Sequence, residues 1–331
     1  MLLDQLINPQ PLTCGVFKVK RSLKSSWLLL AVALLIAAPH FVQPLVAQDK
    51  PKSGGKKELP EPEAIQLVTK KTGLQLNAMY FASNQEKEAA PIILLHPWKE
   101  QGALYYKMAK ELQSLGYAVL VPDLRGHGKS INAAVARDGK IDLEKMGKVD
   151  FGFIVAEDME TLKNFLLQQH NEGKLNIELL SVIGIGEGSM FSTLWAINDW
   201  SYPPLPGLKQ GQDVKAVVMI SPEMGLKGMN ADNALKNPIC RNLSFLLLAG
   251  GNSDQHANIN RMKKTLEKTH SFNPDNVDAS NLWIIEPDTS LEKAQFVGSQ
   301  PNMSKVIDSF LSKRVKSFAK NLPWAERKAK N

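Results

Sequence analysis

Four residue clusters in the 331-residue chain carry side chains that could do chemistry, and each follows a short apolar run. His96-Pro97-Trp98 follows Ile92-Ile93-Leu94-Leu95. Asp123-Leu124-Arg125-Gly126-His127-Gly128-Lys129-Ser130 follows a run ending at Pro122. Gly184-Ile185-Gly186-Glu187-Gly188-Ser189 and Gly250-Gly251-Asn252-Ser253-Asp254-Gln255-His256 follow two more. Serine, histidine and aspartate together could run nucleophilic catalysis, with the imidazole taking the hydroxyl proton. Glycine turns could bring backbone N–H groups close to developing negative charge. Gly184-x-Gly186-x-x-Ser189 also approaches a dinucleotide fingerprint. Its third glycine is Ser189, and Tyr202-Pro203-Pro204-Leu205-Pro206 stands where an acid should follow. No cofactor is predicted. His96, His127, His256, Asp254 and Glu187 do not make a recognisable metal spacing, so no metal is predicted either.

These clusters must be positioned by strands and helices that alternate. Residues 64–69 and 74–81 are β-rich and flank Lys71-Thr72-Gly73, which predicts a hairpin. Solid apolar strands are predicted over 91–96, 117–121, 177–183, 216–220, 243–249 and 282–285. Apolar residues at helical spacing mark helices over 104–115, 159–166, 190–197, 259–266 and 303–318. Trp195 and Trp200 are assigned to core and rim. Apolar strands alternating with amphipathic helices predict a three-layer, doubly wound, mostly parallel sheet, with the hairpin adding antiparallel strands at one edge. Ligands of such sheets bind beyond the carboxyl ends of the strands, where the four clusters lie. Residues 201–213 and 222–238 are the only places for a small cap.

The chain is 44% hydrophobic and 22% charged, which excludes disordered and collagen-like classes. Its formal charge of +7 divides into +3 over residues 1–47, +6 over 303–331 and −2 over the body between. A body with that balance lacks the basic footprint of a nucleic-acid binder. Lys313, Arg314, Lys316, Lys320, Arg327, Lys328 and Lys330 predict a solvated basic face with a frayed end over 322–331. Cys14 and Cys240 allow no disulfide framework. Lys18, Lys20, Arg21 and Lys24 precede the apolar run 27–38, the layout of a secretory signal over 1–47. The chain is therefore expected to be exported, periplasmic or extracellular. Retention as an anchor over 27–47, the only membrane contact foreseen, is the alternative. Residues 48–62 read as a flexible linker and 63–321 as one folded domain.

Residues 94–130, LLHPWKEQGALYYKMAKELQSLGYAVLVPDLRGHGKS, resemble the α/β-hydrolase family. There a strand ends in His-Gly, a helix follows, and the next strand runs into Pro-Asp-x-Arg-Gly-x-Gly-x-Ser. The later elements follow in order, so the resemblance extends over 64–321. It implies the α/β-hydrolase fold and an esterase-, lipase- or peptidase-like site. Asp254 matches the acid position, and Trp98 and Glu187 match the two backbone donors of the oxyanion hole. His96 and His127 match positions that serve loop packing. The nucleophile of that family sits in G-x-S-x-G, and the matching position here is Gly186. The family histidine should follow the last strand, yet that loop reads Glu286-Pro287-Asp288-Thr289-Ser290-Leu291 and the last histidine of the chain is His270, expected at the surface. Two expectations follow. The first is a non-catalytic protein that binds a small molecule or protein in a crevice lined by His96, Ser189 and His256 beside Trp98, Glu187 and Asp254. The second is a hydrolase of ester or amide bonds that uses a displaced serine, Ser189 or Ser290, with His256 and Asp254. A nucleophile at Ser189 would put Glu187 and Phe191 where small flanking residues belong.

Overall fold

Solid apolar runs become the strands of one sheet. The computed structural model describes residues 58–327 apart from Arg137 and Pro204. The signal, Cys14, most of the linker, Lys328 and Lys330 lie outside the described residues. Among the described residues, eight strands form the main sheet: β1 (Glu63–Val68), β2 (Gln75–Phe81), β3 (Pro91–Leu95), β4 (Ala118–Pro122), β5 (Leu180–Ile185), β6 (Val214–Ile220), β7 (Ser244–Leu248) and β8 (Leu282–Ile285). Their order is β1-β2-β4-β3-β5-β6-β7-β8. The pairs β1–β2 and β2–β4 are antiparallel, and the rest are parallel. All residues of β3, β4 and β5 are buried, as expected for strands covered on both faces.

Alternation along the strands divides the core in two. Ile93, Leu95 and Leu120 face one layer, and Ile92, Leu94 and Val121 face the other. The first layer holds α2 (Lys148–Phe153), α3 (Met159–Asn171), α4 (Gly188–Ser201), α5 (Ala231–Leu235) and α6 (Gln255–Leu266). The second holds α1 (Tyr106–Ser114), α7 (Lys293–Ser299) and α8 (Met303–Arg314). Trp195 is fully buried, and the half-buried Trp200 donates its indole N–H to the Val214 carbonyl at 2.7 Å.

Several boundaries depart from the sequence pattern. Residues 177–179 form a 3-10 turn before β5, because the Asn176 side chain accepts from the Glu178 N–H at 3.1 Å. The last helix stops at Arg314, and Lys316–Phe318 is a separate 3-10 turn. α2 runs into α3 through a π turn, Ile154–Asp158. That turn aims Glu157 and Asp158 at the buried Arg125 guanidinium, whose Nε donates to Asp158 at 2.9 Å. Glu157 also accepts from the Thr72 N–H (3.0 Å) and hydroxyl (2.8 Å), which ties the β1–β2 turn to the helix layer. His270 is buried rather than at the surface, with Nε2 3.0 Å from the Cys240 carbonyl and 3.1 Å from that of Leu243. The turn after α6 folds back under the start of β7, and this places the imidazole there.

Residues 322–327 form no frayed end. The Trp324 indole donates to the His170 carbonyl at 2.8 Å, and Asn171 brackets Arg327 through both its backbone N–H and its carbonyl. Arg327 donates to Asp213 (2.5 Å) and Glu178 (3.3 Å). Asp213 is fully buried and also pairs with the buried Lys163 at 2.7 Å. Removing one partner of a buried pair leaves a carboxylate short of donors. Arg327→Ala should therefore lower stability by about 2 kcal/mol in urea unfolding. A loss below about 0.5 kcal/mol, typical of surface sites, would show that this strap is not a structural element.

Candidate functional site

The site is assembled from turns at the carboxyl ends of β3, β5, β6, β7 and β8. The tightest lies between β5 and α4. A Cβ at Gly184 would stand 2.4 Å from the Gly188 carbonyl oxygen, and one at Gly188 would stand 2.7 Å from that of Leu95. Only glycine permits this approach. Between them Gly186 has φ +55°, the left-handed conformation, and its N–H donates to the Ile220 carbonyl at 2.9 Å. A Cβ at Gly186 would meet Pro97 Cβ at 3.0 Å and Lys293 Cε at 3.2 Å. The residue poised over the bare turn is thus Lys293, first residue of α7.

Lys293 is held in place by its backbone. Its φ is +45°, and its N–H donates to Ser221 Oγ at 3.0 Å; Ser221, just beyond β6, is itself buried with φ +45°. Such strain in two adjoining non-glycine residues collects at sites the surrounding structure over-determines. The Lys293 ammonium lies 3.5 Å from both Glu187 Oε2 and Glu223 Oε1. Partial burial would pull its pKa down, but the two carboxylates overrule that and hold it above the ordinary lysine value. Glu187 Oε2 also accepts the Trp98 N–H at 3.1 Å. Gln255 Nε2 bridges Glu223 and Glu292, 3.1 Å from each, and Glu292 accepts the Asp254 N–H at 3.1 Å.

Two imidazoles brace the wall behind Trp98. His96 is fully buried, with Nδ1 2.7 Å from the Pro97 carbonyl and Nε2 accepting the Leu124 N–H at 2.9 Å. His127 Nε2 accepts the Lys99 N–H at 3.0 Å, and its ring packs nearly perpendicular to that of Trp98, with centroids 4.5 Å apart. Asp123 accepts the N–H groups of Gly102 (3.0 Å) and Lys129 (2.9 Å), which pins the loop that carries His127. A short hairpin follows β6. Gly225–Leu226 pairs with Met229–Asn230, and Lys227 at its tip donates to the carbonyls of Leu143 (3.2 Å), Glu144 (2.9 Å) and Met146 (3.1 Å). The same ammonium stands 5.6 Å from the Trp98 ring centroid.

Comparison with known proteins agrees with this architecture. Residues 90–238 match the family model for the alpha/beta hydrolase fold. An esterase of Pyrococcus furiosus, Pf2001, superposes with TM-score 0.54 at 16% identity, over 77% of this chain and 91% of that one. A dienelactone hydrolase from Anabaena variabilis gives TM-score 0.52 at 17% identity, over 78% and 97%. An esterase of Pyrobaculum calidifontis gives 0.55 at 11% identity, over 79% and 86%. No curated protein matches the sequence. The fold is that of the α/β hydrolases.

In an α/β-hydrolase fold the turn at Gly186 is the nucleophile elbow, so its geometry is present without its hydroxyl. Trp98 and Glu187 do meet there, but the Trp98 N–H faces the Glu187 carboxylate in place of open space. Ser189 and His96 do not line the crevice. Ser189 is 1% exposed and donates to the Gly184 carbonyl at 2.8 Å, because its place in the first turn of α4 points it back along β5. His96 is enclosed by the loops it clamps. His256 lies outside the crevice, 2.6 Å from Glu286 and 2.9 Å from Asn260, with Asp254 exposed nearby and Ser290 exposed on the loop after β8. The displaced set of Ser189 or Ser290 with His256 and Asp254 is not brought together. Sequence reading missed Lys293, Glu223, Glu292 and Gln255. One signal was available: Lys293 lies just past the segment where the family histidine belongs.

Burial pushes the His96 pKa down to about 3, against the pull of the Pro97 carbonyl. Its stabilising contribution is complete above the unfolded value near 6.5 and is lost as pH falls through the window from about 6.5 to about 3. This group alone should make stability fall by up to about 1.4 kcal/mol per pH unit. His96→Gln should be less stable at neutral pH yet show a flatter slope between about pH 6.5 and 5 in urea unfolding. Equal slopes in the two proteins would mean that His96 is not the titrating group.

Proposed function

We propose that this chain is an exported α/β-hydrolase-fold protein that binds a ligand or partner and has no serine-hydrolase mechanism. The carrying observation is Lys293, seated over Gly186 where a nucleophile and its histidine would meet. A lysine held charged by two carboxylates cannot accept a proton, so it cannot stand in for the imidazole as general base. Without a hydroxyl at Gly186 there is nothing to activate. The Glu187 carboxylate on the Trp98 N–H opposes a second negative charge at the same donor. Export rests on the basic and then apolar order of residues 18–38.

The similar folds named esterase and dienelactone hydrolase make ester hydrolysis the competing activity. Assay of the full chain on nitrophenyl esters of short and medium acids separates the two. The expected rate equals that of buffer and is the same for Ser189→Ala, Asp254→Ala and Lys293→Met. Saturable turnover that drops about a hundredfold in any one variant would establish catalysis and overturn the proposal. Fusing residues 1–62 to a phosphatase that folds only outside the cytoplasm should give an active enzyme. A fusion active only when given an independent signal would refute export.

A further inference from the structure

We propose that the face at the amino ends of the parallel strands docks on a membrane surface of anionic lipid. This face is remote from the crevice, so the binding role just described is not needed for it. An open groove of about 620 Å³ crosses it, and its walls include Lys87, Glu88, Lys316, Lys320 and Trp324. α1 and α8 run back along the sheet, so the turns after them meet the starts of β3, β4 and β5 here; Lys316, beyond α8, donates to the Leu115 carbonyl beyond α1 at 3.2 Å. Five cations, Lys87, Lys313, Arg314, Lys316 and Lys320, face three carboxylates, Glu88, Asp278 and Asp308. Among the described residues neither Lys87 nor Lys320 pairs with a carboxylate, and the Lys87 ammonium stands 3.7 Å from the Trp324 ring centroid. Phe318 is 44% exposed between Lys316 and Lys320. Lysines around an exposed aromatic ring suit the headgroup boundary, where the ring enters and the ammoniums meet phosphate.

A second observation is independent of that charge. The chain enters the domain at this same face. Gln113, in the last turn of α1 and 1% exposed, donates its amide to the carbonyls of Pro60 (2.8 Å) and Ala82 (2.7 Å). The Ser83 hydroxyl donates to the carbonyl of Gly116, which borders the groove, at 3.0 Å. Ahead of that entry, residues 48–57 hold Lys50, Lys52, Lys56 and Lys57 against the single acid Asp49. The apolar run 27–38 ends 20 residues before Glu58, a reach of at most about 70 Å. A membrane that takes up that run is within reach of the basic face, and the four linker lysines add to the attraction. Lipid fits better than nucleic acid, because an exposed phenyl ring and an apolar run both call for a hydrocarbon boundary. The crevice over Gly186, at the opposite ends of the strands, then faces away from the lipid.

The test places the environment-sensitive dye NBD on the full chain at Ser317→Cys, with Cys14→Ser as background and the buried Cys240 left in place. A label at Ser290→Cys, exposed beyond the opposite ends of the strands, is the control. Each chain is added to phosphatidylcholine vesicles with and without about 30% phosphatidylglycerol. The label at 317 should brighten and shift to the blue only with the anionic lipid, and should lose that change in about 1 M salt. The label at 290 should not respond. Each lysine near an anionic surface is worth about fivefold in binding, so Lys87→Glu combined with Lys320→Glu should weaken the response about thirtyfold. Thermal melts check folding, and Lys320→Glu alone, with about a fivefold loss expected, serves if the double variant is unfolded. No response to the anionic lipid, an equal response on neutral vesicles or at position 290, indifference to these variants, or an equal response to a soluble DNA duplex would overturn the proposal. Ester turnover would remove the non-catalytic reading and leave this one standing.

Discussion

The backbones of β5 and α4 meet across a turn with no room for side chains, and the crevice is built outward from that contact. Gly184 and Gly188 stand where any Cβ would run into a carbonyl. Their approach fixes the start of α4, so the Glu187 side chain reaches the Trp98 N–H across the gap from β3. It also leaves Gly186 in a left-handed conformation that a side chain would strain, and here there is none. The backbone geometry of the elbow is thus kept, with no side chain at its central position.

Electrostatics then decides what such a crevice can hold. A hydrolase needs a neutral base beside a hydroxyl, with empty donors for a developing oxyanion. This crevice has a charged lysine over glycine and a carboxylate on the donor. The strained backbones of Lys293 and Ser221, joined by a hydrogen bond, hold that arrangement. The excess of carboxylates over ammonium makes the crevice an acceptor-rich one, the reverse of the oxyanion site it resembles in outline.

Charge is handled differently away from the crevice. Arg125 with Glu157 and Asp158, and Lys163 with Asp199 and Asp213, are buried pairs that join distant segments. Pairs of this kind add little net stability over apolar packing, but breaking one is severe. They register the π turn against the β1–β2 turn, and α3 against the end of α4 and the start of β6. Arg327 extends the second network to the carboxyl-terminal strap. Burial of the Asp158 carboxyl raises its pKa to about 6 despite Arg125, a measure of how little solvent reaches that junction.

The sheet, its antiparallel edge and most helices were legible because period-two and period-3.6 patterns report local burial directly. The elbow was legible too, since three alternate glycines between a strand and a helix admit few backbone paths. The vacant positions, Gly186 and the loop after β8 without histidine, needed only residue identities. Residue type could not place Lys293. One lysine among 40 basic residues has no mark of its own, and only the sheet order and the turn after β8 bring it over Gly186. The same limit explains His256, Ser189, His270 and Arg327, whose partners lie on segments remote in sequence or depend on where a helix turns. The sequence by itself determined which side chains are absent from the elbow and from the loop after β8, because a residue's identity is a fact of composition. Only the tertiary structure decided what fills the space, because contact between charges is set by distances that close when the chain folds.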